Sequence, residues 1–229
     1  MVTVALIGAD GAGKTSVARA LERSGEIPIK YLYMGINGEA SNHMLPTTRA
    51  LRAVRRAFGR ADQGGPPDRE RAHGRKRGGL RNLARETKAS LVVLNRVCEE
   101  WYRVAVARRF ERRGFVVLFD RHFYADYWAH DVVQDTGERS LSRRVHGRLL
   151  AHLPRPDRTI LLDAPAAVLF ARKAEGTLEA LERRRQEYLE LSTQLGSCTR
   201  VDATRPPHEV QAEVLAILRE LHARGAERA

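Results

Sequence analysis

Cysteine, tryptophan and aromatic residues are scarce in this chain. Its 229 positions hold two Cys and two Trp, aromatics make up 6%, and no apolar run approaches membrane-spanning length. Cys98 and Cys198 lie far apart without partners at metal-ligand or disulfide spacing, which excludes a disulfide framework or a structural zinc site and points to a reducing compartment. Without a run of about 18 apolar residues, a membrane-embedded protein is excluded as well. The eight histidines are scattered, and no Ser or Cys sits in a nucleophile elbow, so hydrolysis through a covalent nucleophile has no support. The stretch Met1–Gly8 carries no charged leader or cleavage-site pattern, so the expectation is a soluble, cytoplasmic protein.

Acids are also outnumbered. Forty Lys and Arg against 28 Asp and Glu give a net charge of +12. Between Arg49 and Lys88 thirteen basic residues face four acids, so +9 of the +12 is concentrated there. Such a block suits a polyanionic partner or a solvated insertion. No nucleic-acid-binding motif accompanies it, which weighs against nucleic acid. Within it, positions 59–79 hold too few apolar residues to offset the entropy of ordering, so a mobile insertion in one domain spanning 1–229 is expected.

Short β-branched runs alternate with helix-like stretches. Val2–Ile7, Ile29–Met34, Phe115–Phe119, Thr159–Leu162 and Thr199–Val201 read as strands. Helices are expected at Lys14–Ser24, Pro46–Phe58, Leu80–Arg113, Ser142–Leu153, Ala166–Lys173, Leu178–Leu195 and His208–Arg224. Continuously apolar strands joined by helices predict a five-stranded parallel sheet covered on both faces, a three-layer α/β/α architecture of the P-loop type.

The chemistry is carried first by Gly8-Ala9-Asp10-Gly11-Ala12-Gly13-Lys14-Thr15, which matches the phosphate-binding P-loop pattern between a predicted strand and a predicted helix. Glycines let the backbone wrap phosphate oxygens, and the N-terminus of the next helix, which includes Ser16, adds its positive dipole end. Lys14 is expected to reach the β- and γ-phosphates of a nucleoside triphosphate such as ATP, and Thr15 to ligate Mg²⁺. Asp120-Arg121-His122 closes the third strand, at the carboxyl end where open α/β sheets bind ligands. There Asp120 would hold a Mg²⁺-bound water or orient the acceptor, and Arg121 would clamp phosphate. Arg172 and Lys173 lead a short lid at about 172–178 whose cations would stabilise charge developing in transfer. Tyr124 and Asp126 are acceptor candidates, through stacking and hydrogen bonding.

In these residues the chain resembles the thymidylate kinase family of nucleoside monophosphate kinases. The likeness runs from the P-loop with its central Asp10-Gly11 pair, through Asp120-Arg121-His122 and Leu161-Leu162-Asp163-Ala164-Pro165, to Val201-Asp202-Ala203-Thr204-Arg205. The resemblance implies an ATP- and Mg²⁺-dependent kinase of a small-molecule acceptor, with Ala203, Thr204 and Arg205 against adenine and Asp10 and Asp120 near Mg²⁺ and acceptor. It further implies that Arg121 holds the acceptor phosphate, that Arg96 lies at the acceptor site, and that the chain is a homodimer. Where the family carries an Arg-Glu-Pro-Gly-Gly-type segment, this chain has Tyr33-Met34-Gly35-Ile36-Asn37-Gly38. That departure keeps two alternatives open: a kinase for a hydroxyl-bearing metabolite such as a sugar or nucleoside, and a nucleotide-switched module binding nucleic acid or membrane.

Overall fold

The computed structural model describes residues 2–35, 43–57, 79–122, 153–174 and 176–227. The apolar runs form β1 (Val2–Ile7), β2 (Ile29–Tyr33), β3 (Val116–Asp120), β4 (Arg158–Asp163) and β5 (Cys198–Asp202). The periodic stretches form α1 (Lys14–Ser24), α2 (Pro46–Ala57), α3 (Gly79–Glu111), α4 (Ala166–Arg172), α5 (Leu178–Gln194) and α6 (Pro207–Glu227). Expected boundaries match these at β1 and α1 and elsewhere differ by at most three residues at an end. The expected helix Ser142–Leu153, apart from Leu153, and nearly all of the 59–79 insertion lie outside the described residues.

All five strands are parallel, in the order β2-β3-β1-β4-β5. Side chains alternate across the sheet and bury both faces. Val4, Leu6, Val116 and Leu118 join one core with Val17 and Leu21 of α1 and Val214 and Leu218 of α6. Ala5, Leu32, Val117 and Phe119 join another with Val104 and Ala107 of α3. This is the expected three-layer α/β/α fold. No helix among the described residues is long and apolar enough to cross a membrane.

Register is what positions the site. Leu6 and Tyr33 both lie opposite Asp120, so the ends of β1, β2 and β3 are level. By alternation Asp120 faces the α1 side with Val116 and Leu118, which brings it to the start of α1. Along α3, Val97 is buried, whereas Leu94 (58% exposed), Trp101 (40%) and Cys98 are exposed.

Candidate functional site

The loop after β1 is built from backbone geometry that side chains would spoil. Gly8 has φ 141° and Gly11 φ 88°. A Cβ at Gly8 would stand 2.4 Å from the carbonyl oxygen of Leu162, and one at Gly11 2.5 Å from that of Leu169. The loop is thus wedged between the end of β4 and α4. Gly11→Ala combines left-handed strain with a backbone clash, and we expect it to destabilise the fold by about 3 kcal/mol, measured by chemical denaturation. A loss below about 0.5 kcal/mol would show that the loop is slack there.

Gly13 caps α1 in the left-handed conformation, with no side-chain cap and no acidic residue in the first turn. The first N–H groups are therefore not claimed by a capping side chain, an arrangement suited to an anion. Lys14 is buried and donates from Nζ to the carbonyl oxygens of Gly8 (2.8 Å) and Ala9 (2.9 Å), which lays its ammonium across the loop. Ala9 and Ala12 are buried, Thr15 is half-buried and Ser16 is exposed.

Asp120 is fully buried, and its Oδ2 accepts from the Thr15 hydroxyl at 2.5 Å and from the Tyr31 hydroxyl at 3.3 Å. Its Oδ1 is buried with no hydrogen-bond partner. An orphaned buried carboxylate oxygen is costly unless a cation or donor meets it. A hydroxyl that gives its proton to that carboxylate keeps its own lone pairs for a metal. Thr15 and Asp120 therefore fit Mg²⁺. Among the described residues no group of three His, Cys, Asp or Glu could hold a metal, and Mg²⁺ ordinarily takes one or two protein ligands completed by phosphate and water.

Arg121 adopts φ 59°, left-handed for a bulky residue, a conformation that costs about 1–2 kcal/mol and clusters at functional positions. That turn sends its guanidinium over the loop to an ion pair with Asp10. Burial raises the Asp10 carboxyl, but the charges of Arg121, Lys14, Arg184 and Lys173 outweigh it and hold its pKa below the ordinary value. Lys173 and Arg184 are therefore felt at the P-loop. His122 sits edge-on to Phe119 at 5.2 Å, and burial pushes its pKa down to about 3. That burial favours the neutral imidazole.

Arg172, expected to lead the lid, contacts the loop after β5. It donates to the carbonyl oxygens of Ala203 (2.7 Å) and Thr204 (3.5 Å), so it braces the loop after β5. That loop is further ordered by Ala203 N–H to the Asp163 carbonyl (2.8 Å), by Thr204 to Asp202 (2.9 and 2.6 Å), and by an ion pair of Arg205 with Glu213. Thr177 caps α5 by accepting from Ala180 N–H at 3.2 Å, so the link expected to be a lid ends in a fixed helix start. Tyr124 and Asp126 lie outside the described residues, as does the side chain of Arg96 on α3.

Sequence reasoning misses Tyr31, Arg184 and the cluster at the end of β4. There Asp163 accepts from Arg185 (2.7 and 3.1 Å) and Arg200 (2.6 Å), tying α5 and β5 to β4. The Arg183-Arg184-Arg185 run is a visible signal, although three adjacent arginines do not say which one turns inward. Burial raises the Asp163 carboxyl, and the hydrogen bonds and charges of Arg185 and Arg200 prevail and lower its pKa. A depressed folded pKa contributes stability above the unfolded value, lost as pH falls through the folded one. Asp163→Asn should therefore cost about 2 kcal/mol at pH 7 and flatten the wild-type loss of stability below about pH 4. Thermal melts from neutral to acid pH read this out, and an unchanged acid limb would contradict it.

No family model matches this chain, and no curated protein matches it either.

Proposed function

We propose that this chain is an ATP-dependent phosphotransferase of the thymidylate kinase-like type, moving the γ-phosphoryl of Mg-ATP to a small acceptor, with a nucleoside monophosphate favoured. The observation that carries the reading is the meeting of Thr15 with a fully buried Asp120 whose Oδ1 has no partner, at the end of a glycine loop that holds Lys14 across it.

Phosphoryl transfer asks a protein for position and charge more than for covalent chemistry. In this reading the loop N–H groups and Lys14 hold the donor phosphates. Thr15 and Asp120 are the residues that would hold Mg²⁺, which supplies neutralisation of phosphate charge when bound. Arg121 exchanges Asp10 for acceptor phosphate or the migrating group, a planar fork suited to two oxygens at once. Lys173 and Arg184 add positive potential over the same loop. Arg172 holds Ala203 and Thr204 as one wall for the base. A cytoplasmic setting fits the two free cysteines, and the exposed Leu94 and Trp101 offer a face for a homodimer.

One observation favours a second reading, transfer to a hydroxyl-bearing metabolite. Gly35, where the chain departs from the family's Arg-Glu-Pro-Gly-Gly-type segment, is hemmed in by its neighbours. A Cβ at Gly35 would stand 2.4 Å from the Tyr33 hydroxyl and 2.9 Å from Arg121 Cδ, and Arg103 donates to the Gly35 carbonyl at 3.0 Å. The deciding experiment is Mg-ATP consumption with nucleoside monophosphates, nucleosides and sugars, the product identified by mass spectrometry. A phosphorylated monophosphate supports the first reading and a phosphorylated sugar or nucleoside the second. Loss of ATP without any phosphorylated product overturns both.

A further inference from the structure

Tyr31 belongs to no glycine loop and to no strand-end motif, yet its hydroxyl reaches the carboxylate on which the site turns. In the β2–β3 register Leu118 lies opposite Tyr31 and Asp120 opposite Tyr33. Tyr31 is thus the diagonal neighbour of Asp120 on the α1 side of the sheet. An offset of two residues between neighbouring parallel strands is a gap that a phenol spans and a Ser or Thr hydroxyl does not. Across it the Tyr31 hydroxyl lies 3.3 Å from Asp120 Oδ2, the same oxygen that accepts from Thr15 at 2.5 Å. The ring is buried, and the Arg19 guanidinium of α1 stands 5.6 Å from its centroid.

We infer that Tyr31 is a positioning residue for the metal, its hydroxyl joining Thr15 in holding Asp120 by Oδ2 so that Oδ1 is reserved for the divalent cation. A carboxylate pinned through one oxygen cannot exchange its two oxygens by rotation about its last bond. Two donors on Oδ2 and none on Oδ1 is the asymmetry that such a lock creates. Outer partners of this kind orient a ligand without touching the ion, and their loss ordinarily weakens metal binding by about 10–100-fold.

This inference rests on the phosphotransferase reading, and the test separates the two. Free Mn²⁺ is followed by electron paramagnetic resonance as it titrates the full chain with ADP, for the wild type and for Tyr31→Phe. ADP affinity is measured separately in chelator. Tyr31→Phe keeps the ring beside Arg19 and removes one oxygen. The expected result is about tenfold weaker Mn²⁺ affinity with metal-free ADP affinity changed by less than about twofold. Unchanged Mn²⁺ affinity overturns the role of Tyr31 and leaves the phosphotransferase reading standing. An equal loss of metal and metal-free nucleotide binding marks Tyr31 as structural support only, and also overturns it. A wild type that binds ADP without metal dependence sinks the phosphotransferase reading itself, and this inference with it.

Discussion

Lys14→Ala should lower phosphoryl transfer by about 10³-fold, equivalent to about 4 kcal/mol of barrier, with every acceptor tried. The size follows from where the ammonium sits. It is buried, and its two hydrogen bonds to the Gly8 and Ala9 carbonyls hold it in the loop that would receive the donor phosphates. A charge fixed in a low-dielectric pocket needs no reorganisation when charge develops on phosphate, so its removal falls on the chemical step. The fold should tolerate the change: two carbonyls lose a donor, but a desolvated charge leaves with it. Single-turnover assays with Mg-ATP, alongside a thermal melt that verifies folding, check the expectation. Activity within about tenfold of wild type would remove Lys14 from the site.

Arg121→Ala carries the second large effect and has a sharper signature. Loss of the guanidinium should reduce kcat/KM for a phosphorylated acceptor by about 10²–10³-fold and spare unphosphorylated acceptors by comparison. Equal losses on both would place Arg121 at the transferring group instead. The change also strips Asp10 of the strongest of the charges that lower its pKa. The depressed carboxyl should then titrate at higher pH, and the acid limb of the pH–rate profile should move toward neutrality. Arg121→Gly supplies a structural control. Glycine accepts φ 59° without penalty, so it should be more stable than Arg121→Ala by about 1 kcal/mol, and the two should be equally impaired in transfer. A stability ranking in the opposite order would show that the left-handed turn carries no strain.

The first third of the site is legible in the amino-acid sequence. β1, the glycine loop and α1 are readable together because each step is local: an apolar run, then residues without Cβ where the backbone must turn, then a helical period. Val2–Ile7 and Lys14–Ser24 fall where that pattern places them. Asp120 is readable as a ligand candidate because it ends an apolar strand. The position of Arg172 at a helix end suggests a lid cation, yet the carbonyls of Ala203 and Thr204 claim it. The face of α3 carrying Leu94, Cys98 and Trp101 reads equally as a dimer interface or as sheet packing. The packing of α3 on β2 and β3 turns Val97, Val104 and Ala107 inward and leaves those three exposed.

Periodicity and turn chemistry are enough to establish the α/β class and the parallel sheet and to single out the glycine loop, since each depends on neighbours within a few positions. Strand order is beyond them. Nothing in Val116–Asp120 says that it inserts between β2 and β1, because a crossover of variable length can return the chain to either edge of a sheet. Once β3 lies there, Thr15 meets a carboxylate 105 positions away and Tyr31 one 89 positions away. The unpartnered oxygen of Asp120, the left-handed turn at Arg121 and the pairing of Asp163 with Arg185 follow from that packing. They are properties of groups brought together across the fold, where burial sets the cost of each unpaired charge and local pattern carries no record of the partner.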